Sequence, residues 1–259
     1  MTTVVRHGPI AGLNPIAKLG AAMLIALPLV LTIDPVSALV ALVLELPLLL
    51  AAGLSAREFW LRTSPVWIAA PLAGITIALY GATGGDVFFE WFVVRVSEGS
   101  LTLAVATTLR ILAIGLPAVV LFVTVDPTDL ADGLAQLLRL PARFVLGALA
   151  ALRLLALLGD DWRALALARR ARGVADSGRM RRAAGMAFAL FVLSIRRGSA
   201  LATAMEARGF GASGTRTWAR ESHFGGRDWV LVLVGAAISA IAVTVSVVTG
   251  WWNFILGPV

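Results

Sequence analysis

The chain has 259 residues, 59% of them hydrophobic, 14% charged and none of them cysteine. A soluble domain is nearer a quarter charged, so this composition excludes an ordinary soluble globule and points to a polytopic helical membrane protein. Disulfide and thiolate chemistry are excluded with the cysteines, and the net charge of +7, carried by arginines and the single Lys18, reads as a cytoplasmic face of a membrane protein.

Five apolar segments are each long enough to cross a bilayer, which takes about 20 helical residues. The first runs from about Ile16 to Ile33 and stops at Asp34-Pro35, because proline disfavours helix at the residue before it. Arg6 and Lys18 precede it, but no small-x-small cleavage pattern follows, so it reads as a span rather than a signal peptide. The second runs from Val36 to Leu54 and the third from Trp60 to Tyr80. A GATGGD loop follows, with Phe88, Phe89, Trp91 and Phe92 suited to a membrane interface. The fourth span covers Leu101 to Val125 and closes at Asp126-Pro127; the fifth covers Trp229 to Thr249, with Trp251 and Trp252 beyond it.

Between the fourth and fifth spans the character changes. All but six of the 22 Arg and Lys residues (Arg6, Lys18, Arg57, Arg62, Arg95 and Arg110) fall between Asp126 and Arg227. The positive-inside rule makes this block cytoplasmic. Threading the spans back puts the N-terminus and the Arg57–Arg62 turn inside, and the GATGGD loop outside. Two apolar runs within the block, Phe144 to Leu158 and Ala183 to Ile195, are short for spans, and the first contains Arg153. If both crossed, Arg172, Arg179, Arg181 and Arg182 would lie outside. They therefore read as long helices on or in the cytoplasmic side. One begins near Pro141, as a first-turn residue, and runs to about Arg172; the other runs from Arg181 to Arg208. A shorter amphipathic helix, DLADGLAQLLRL, precedes them, with Thr128 or Asp129 as its expected N-cap. The expected fold is an all-α integral membrane protein of about five transmembrane helices plus about three cytoplasmic or interfacial helices. It divides into 1–125, 126–227 and 228–259.

Each of the two long helices ends in the same tripeptide: Ala171-Arg172-Gly173 and Ala207-Arg208-Gly209, 36 positions apart. One copy is a good helix ending and nothing more. Ala and Arg favour helix, a cation suits the last turn, and Gly supplies a left-handed cap. Two copies, each closing a long helix on one side of the membrane beside further arginines, suit docking of two similar partner subunits. A guanidinium enters an acidic or carbonyl-lined cleft with several charge-assisted hydrogen bonds.

With these motifs the sequence resembles the transmembrane T component of energy-coupling factor (ECF) transporters, the CbiQ-like permeases that import vitamins and metal ions. SIRRGSALATAMEARGFG (Ser194 to Gly211) is similar to the family's arginine pair followed by A-M-E-A-R-G and an aromatic. ALRLL (Ala151 to Leu155) is similar to its mid-helix segment, with Leu154 in place of an aromatic. LNPIAKL (Leu13 to Leu19) is similar to its N-terminal L-D-P-x-x-K-L, with Asn14 in place of Asp. The resemblance implies that Ala171, Arg172, Gly173, Ala207, Arg208 and Gly209 dock two ABC-type ATPase subunits. Arg153, Arg196, Arg197 and Glu206 become candidates for coupling or packing. It further implies a separate membrane S component that captures substrate, a location in the plasma membrane, and a subunit that hydrolyses nothing itself. No Walker-type Gly-rich loop occurs, in keeping with that.

Other residues weigh less. Glu45 and Arg110 interrupt spans, and intramembrane charges are functional candidates. Gly74, Gly81, Gly84 and Gly85 suit close packing or a loop. Asp160 and Asp161 are expected to pair along their helix with Arg163; Arg179, Arg181 and Arg182 suit anionic lipid. No metal or cofactor is expected, since His7 and His223 lie far apart. A stand-alone secondary transporter predicts paired halves, and no inverted repeat is visible. A membrane-embedded enzyme needs clustered His, Asp or Glu, and only Asp160-Asp161 are adjacent acids. Nucleic-acid binding fits least, because the arginines alternate with an apolar helix face.

Overall fold

A computed structural model describes residues 8–81, 84–91, 94–173, 178–211 and 217–254. Arg6, His7, part of the GATGGD loop, Phe92 and Arg216 lie outside the described residues, as do the side chains of Trp91, Arg95 and Arg179. The elements in chain order are α1 (Pro15–Leu31), α2 (Pro35–Ala51), α3 (Ala56–Tyr80), β1 (Val87–Trp91), β2 (Val94–Ser97), α4 (Glu98–Val123), α5 (Pro127–Gln136), α6 (Ala142–Ala171), α7 (Arg179–Ala207) and α8 (Gly226–Val248). The chain is an all-α, multi-pass membrane protein, and its described residues include one small hairpin.

It forms two compact units, residues 1–133 with 222–259, and residues 134–221. In the first, hereafter the membrane unit, side-chain caps set the helix starts. Asp34 does more than stop α1. Its carboxylate accepts from the Ser37 N–H at 2.5 Å and caps α2, with Pro35 in the first turn where a missing N–H costs nothing. Ser55 and Glu58 form a reciprocal capping box on α3, and Ser97 and Ser100 do the same on α4. At α5 the expected caps, Thr128 or Asp129, give way to Asp126. Its carboxylate accepts from the Thr128 N–H at 2.7 Å, so Pro127 opens the helix. The aromatic stretch after α3 reads as a loop in the sequence but is an antiparallel hairpin, Val87 pairing with Ser97 and Glu90 with Arg95. Its β-branched and aromatic run favours strand.

Small residues bring the membrane helices together. Ala17, Ala21, Ile25 and Leu29 of α1 share a core with Leu231, Ile238 and Ala242 of α8, Ala41 and Leu48 of α2, and Ala113 and Leu121 of α4. Leu49, Ala70, Leu112, Leu116 and Val120 make a second cluster between α2, α3 and α4. Lipid tails are as apolar as these side chains, so close backbone packing drives association rather than hydrophobic burial. Gly74 allows α3 onto α4, where an added Cβ would lie 2.1 Å from Thr108 Oγ1.

Among the described residues, five helices are long and apolar enough to cross a membrane: α3, α4, α6, α7 and α8. This is a different five from the sequence reading. Helices α1 and α2 have 17 residues each, about 26 Å, against a hydrocarbon core of about 30 Å. Helices α6 and α7 run to 30 and 29 residues because the arginines that interrupt their apolar runs do not interrupt helix. Length therefore does not separate the spans from the helices of the arginine-rich block.

Both intramembrane charges have a definite setting. Arg110 Nη1 donates to the Thr32 carbonyl at 2.8 Å, closing the C-terminal, electronegative end of α1. Glu45 is fully buried, and neither carboxyl oxygen meets a hydrogen-bond partner among the described residues. An unmet buried polar group costs about 1–3 kcal/mol. Glu45→Met, of similar length, is expected to raise the thermal midpoint of the purified chain; a lowered midpoint would mean that the carboxyl makes a stabilising contact within the chain.

Candidate functional site: the paired Ala-Arg-Gly helix ends

The unit of residues 134–221 is a helix pair. The Asp161 carboxylate of α6 accepts from both terminal guanidinium nitrogens of Arg197 on α7, one contact being Nη2 to Oδ1 at 3.1 Å. Further along, the Arg169 guanidinium lies over Gly185, where an added Cβ would be 3.1 Å from Nη2. Position rises along α6 as it falls along α7, so the two helices are antiparallel. Among the described residues of the pair, Met186 and Leu149 are the buried side chains. Asp160 pairs along the helix with Arg163 at 3.6 Å, as the sequence suggests, but Asp161 goes across to the neighbouring helix. A two-pronged contact that is partly buried, as this one is, is worth about 1 kcal/mol. Reversing either charge alone is expected to destabilise the pair, and the swap Asp161→Arg with Arg197→Asp to restore most of the loss, read as thermal midpoints in detergent.

Both tripeptides end their helices in one backbone conformation. Arg172 has φ −88° and ψ 2°, Arg208 has φ −90° and ψ 10°. The glycines that follow are left-handed, Gly173 at φ +69° and Gly209 at +77°, where a Cβ is strained. After α7 the Gly209 N–H donates to the Glu206 carbonyl at 2.9 Å and the Phe210 N–H to the Met205 carbonyl at 2.9 Å, a full Schellman turn. After α6 the Gly173 N–H donates to the Arg170 carbonyl at 3.0 Å, the matching bond. The sequence supplies this directly: Gly is the residue that turns left-handed, and Ala beside it adds no bulk.

Ala171, Arg172, Gly173, Ala207, Arg208 and Gly209 are all exposed. Because α6 and α7 are antiparallel, the two arginines stand at opposite ends of the pair. Counting rise along each helix from the Asp161–Arg197 and Arg169–Gly185 contacts, they are on the order of 35 Å apart. The remaining candidates fall between them. Arg197 is the interhelical partner of Asp161, whereas Arg153, Arg196 and Glu206 are exposed. The sequence reading placed Arg197 among coupling or packing residues without finding Asp161 as its partner, since nothing in either segment specifies which helix faces lie together.

Residues 7–218 match the CbiQ family, described as cobalt transport protein. The chain belongs to this family, that of the transmembrane T components of ECF transporters. Among its relatives are three proteins named energy-coupling factor transporter transmembrane protein EcfT. That of Brevibacillus brevis is 30% identical over 201 residues, 73% of each chain. That of Lactobacillus helveticus is 31% identical over 204 residues, 72% of this chain and 73% of the relative. That of Bacillus selenitireducens is 29% identical over 234 residues, 86% of this chain and 87% of the relative. The matched span takes in both tripeptides and the helices that carry them.

Proposed function

We propose that this chain is the non-catalytic scaffold of an ECF-type importer, seated in the plasma membrane with its N-terminus and the α6–α7 pair on the cytoplasmic side. Two ABC-type ATPases dock on the pair, Ala171-Arg172-Gly173 entering one and Ala207-Arg208-Gly209 the other. A small S component binds the micronutrient, a vitamin or metal ion, and rests against the membrane helices. ATP-driven closure of the ATPase pair shifts the arginine-tipped ends, and the scaffold carries that movement to the S component. On this reading 126–227 is the coupling region, flanked by membrane regions 1–125 and 228–259, and substrate choice belongs to the S component.

One observation carries the reading. Two identical tripeptides adopt one exposed helix-end conformation, at opposite ends of a single antiparallel pair. A single socket would need one; two similar subunits held apart need two. The test is copurification. The chain, tagged and expressed with its chromosomal neighbours, is expected to bring two ABC-type ATPase subunits and a small membrane protein through mild detergent. Recovery of the chain without any ATPase would overturn the proposal.

A further inference from the structure

The docking reading leaves the motif LNPIAKL, at the start of α1, unused. Its two polar side chains are tied into the membrane unit by a dense set of bonds. The Asn14 backbone N–H donates to Asp228 Oδ1 at 2.7 Å. Its side-chain oxygen accepts from the Ile16 N–H at 2.9 Å, capping α1. Its Nδ2 donates to Ser222 Oγ at 3.0 Å and to the His223 carbonyl at 2.9 Å. Asp228 spends its other oxygen on the Gly225 N–H at 2.8 Å, starting α8. One turn on, Lys18 is 1% exposed. Its ammonium donates to the Ala11 carbonyl at 3.1 Å, to the Thr124 carbonyl at 3.3 Å and to Thr124 Oγ1 at 2.9 Å, occupying all three donors. Helix α5 seats on the same turn, for a Cβ added to Gly133 would lie 2.6 Å from Ile16 Cγ1 and 3.5 Å from Asn14 Oδ1.

The location of these bonds gives them a meaning. The chain leaves the membrane unit after Gly133 and returns at Ser222. Lys18 and Ile16 hold the approach to the exit, through Thr124 and Gly133. Asn14 holds the re-entry, through Ser222 and His223. A single helical turn thus grips both covalent connections to the unit that bears the two arginines. Packing of α1 by itself would need none of the Asn14 amide contacts, since the cap uses only the oxygen.

We propose that the first turn of α1 is the joint through which movement of the α6–α7 unit is delivered to the membrane helices, with Asn14 and Lys18 as its positioning residues. This rests on the scaffold reading above. The joint fixes the spacing of the exit and re-entry segments, so a push on the coupling unit turns α1 and α8 as one piece and is not taken up by slack in the connections.

The test uses the full complex with its ATPases. The chain has no cysteine, so spin labels can be placed at will on a cysteine at exposed Phe188 of α7 and another at exposed Val234 of α8, with cysteine-free ATPases. Double electron–electron resonance then reads the distance between them without nucleotide and after trapping with ATP and vanadate. Asn14→Ser keeps a cap oxygen but cannot reach Ser222 and His223. Lys18→Met removes the ammonium and keeps the stem. The wild-type complex is expected to shift its distance on trapping. In both variants ATP hydrolysis continues, and the ratio of shifted to unshifted molecules falls roughly 2- to 30-fold, the range of coupling lost at internal contacts. Asn14→Ser keeps the cap, so it remains informative if Lys18→Met does not fold. If Asn14→Ser shifts as fully as wild type, or loses ATP hydrolysis together with the shift, the joint is overturned. If the wild-type complex binds no ATPase or shows no shift, it is the scaffold reading that falls, and the two failures are told apart by which protein fails.

Discussion

Reversing both helix-end charges, Arg172→Glu with Arg208→Glu, is expected to abolish copurification of the ATPases while leaving the chain itself as stable as before. The two halves of this expectation come from separate physics. Each arginine is exposed and follows the last helical residue, so its share of folding stability is the favourable meeting of a cation with the helix C-terminus, about 0.3–1 kcal/mol. In a partner's cleft the same guanidinium is desolvated and paired, and its loss costs about 2–5 kcal/mol, with like-charge repulsion added on reversal. Each single reversal is expected to weaken the complex and leave it detectable, because the second socket still holds its ATPase close to the first. The double reversal removes both holds. Arg→Lys at the two positions keeps the charge but loses the fork, and should fall between. The alternative is equally definite. If the tripeptides are helix endings alone, the double variant loses a little thermal stability and no ATPase.

Those endings were the most legible part of the molecule. A tripeptide whose Gly must turn left-handed specifies its own backbone, and both copies adopt it with φ values for glycine of +69° and +77°. The long helices were legible too, since α6 ends at Ala171 and α7 at Ala207, directly ahead of the expected arginines. Features set by partners distant in sequence were not. LNPIAKL could be quoted as a motif, but not that Asn14 meets Ser222, 208 residues away, or that Lys18 is buried against Thr124. Arg110 read as a functional candidate because it is an intramembrane charge, but its partner, the Thr32 carbonyl at the C-terminal end of α1, was not legible from either segment. The hairpin was missed for another reason. Its nine strand residues sit beside a glycine-rich loop, and aromatic residues at a membrane interface and aromatic residues in a strand have the same composition. Membrane crossing, finally, was argued from the length of the apolar runs together with the placement of charge. Length alone selects α6 and α7 ahead of α1 and α2.

Gly235→Leu is expected to break the membrane unit, because of where α1 is held. A Cβ built on Gly235 falls 2.9 Å from Ala21 Cα, 3.0 Å from the Ala21 carbonyl oxygen and 3.1 Å from Ala21 Cβ. Two of those three atoms are backbone and cannot rotate away, so relief requires the whole of α1 to move off α8. Both ends of α1 resist. At its start Asn14 is bonded to Asp228, and past its end the Ile33 N–H donates to the Asn253 carbonyl at 2.9 Å. A helix pinned at both ends can yield in the middle only by bending or by releasing an end. Gly235→Ala is therefore expected to cost about 1–3 kcal/mol, the usual range for overpacking, and Gly235→Leu to exceed it and leave little monodisperse protein. Ala21→Gly distinguishes this account from simple crowding of side chains. It removes the farthest of the three contacts and leaves the two backbone ones, so in combination with Gly235→Ala it should restore only a minor part of the thermal midpoint. Full restoration would mean that the Ala21 methyl, and not the close approach of the two backbones, sets the spacing of α1 and α8.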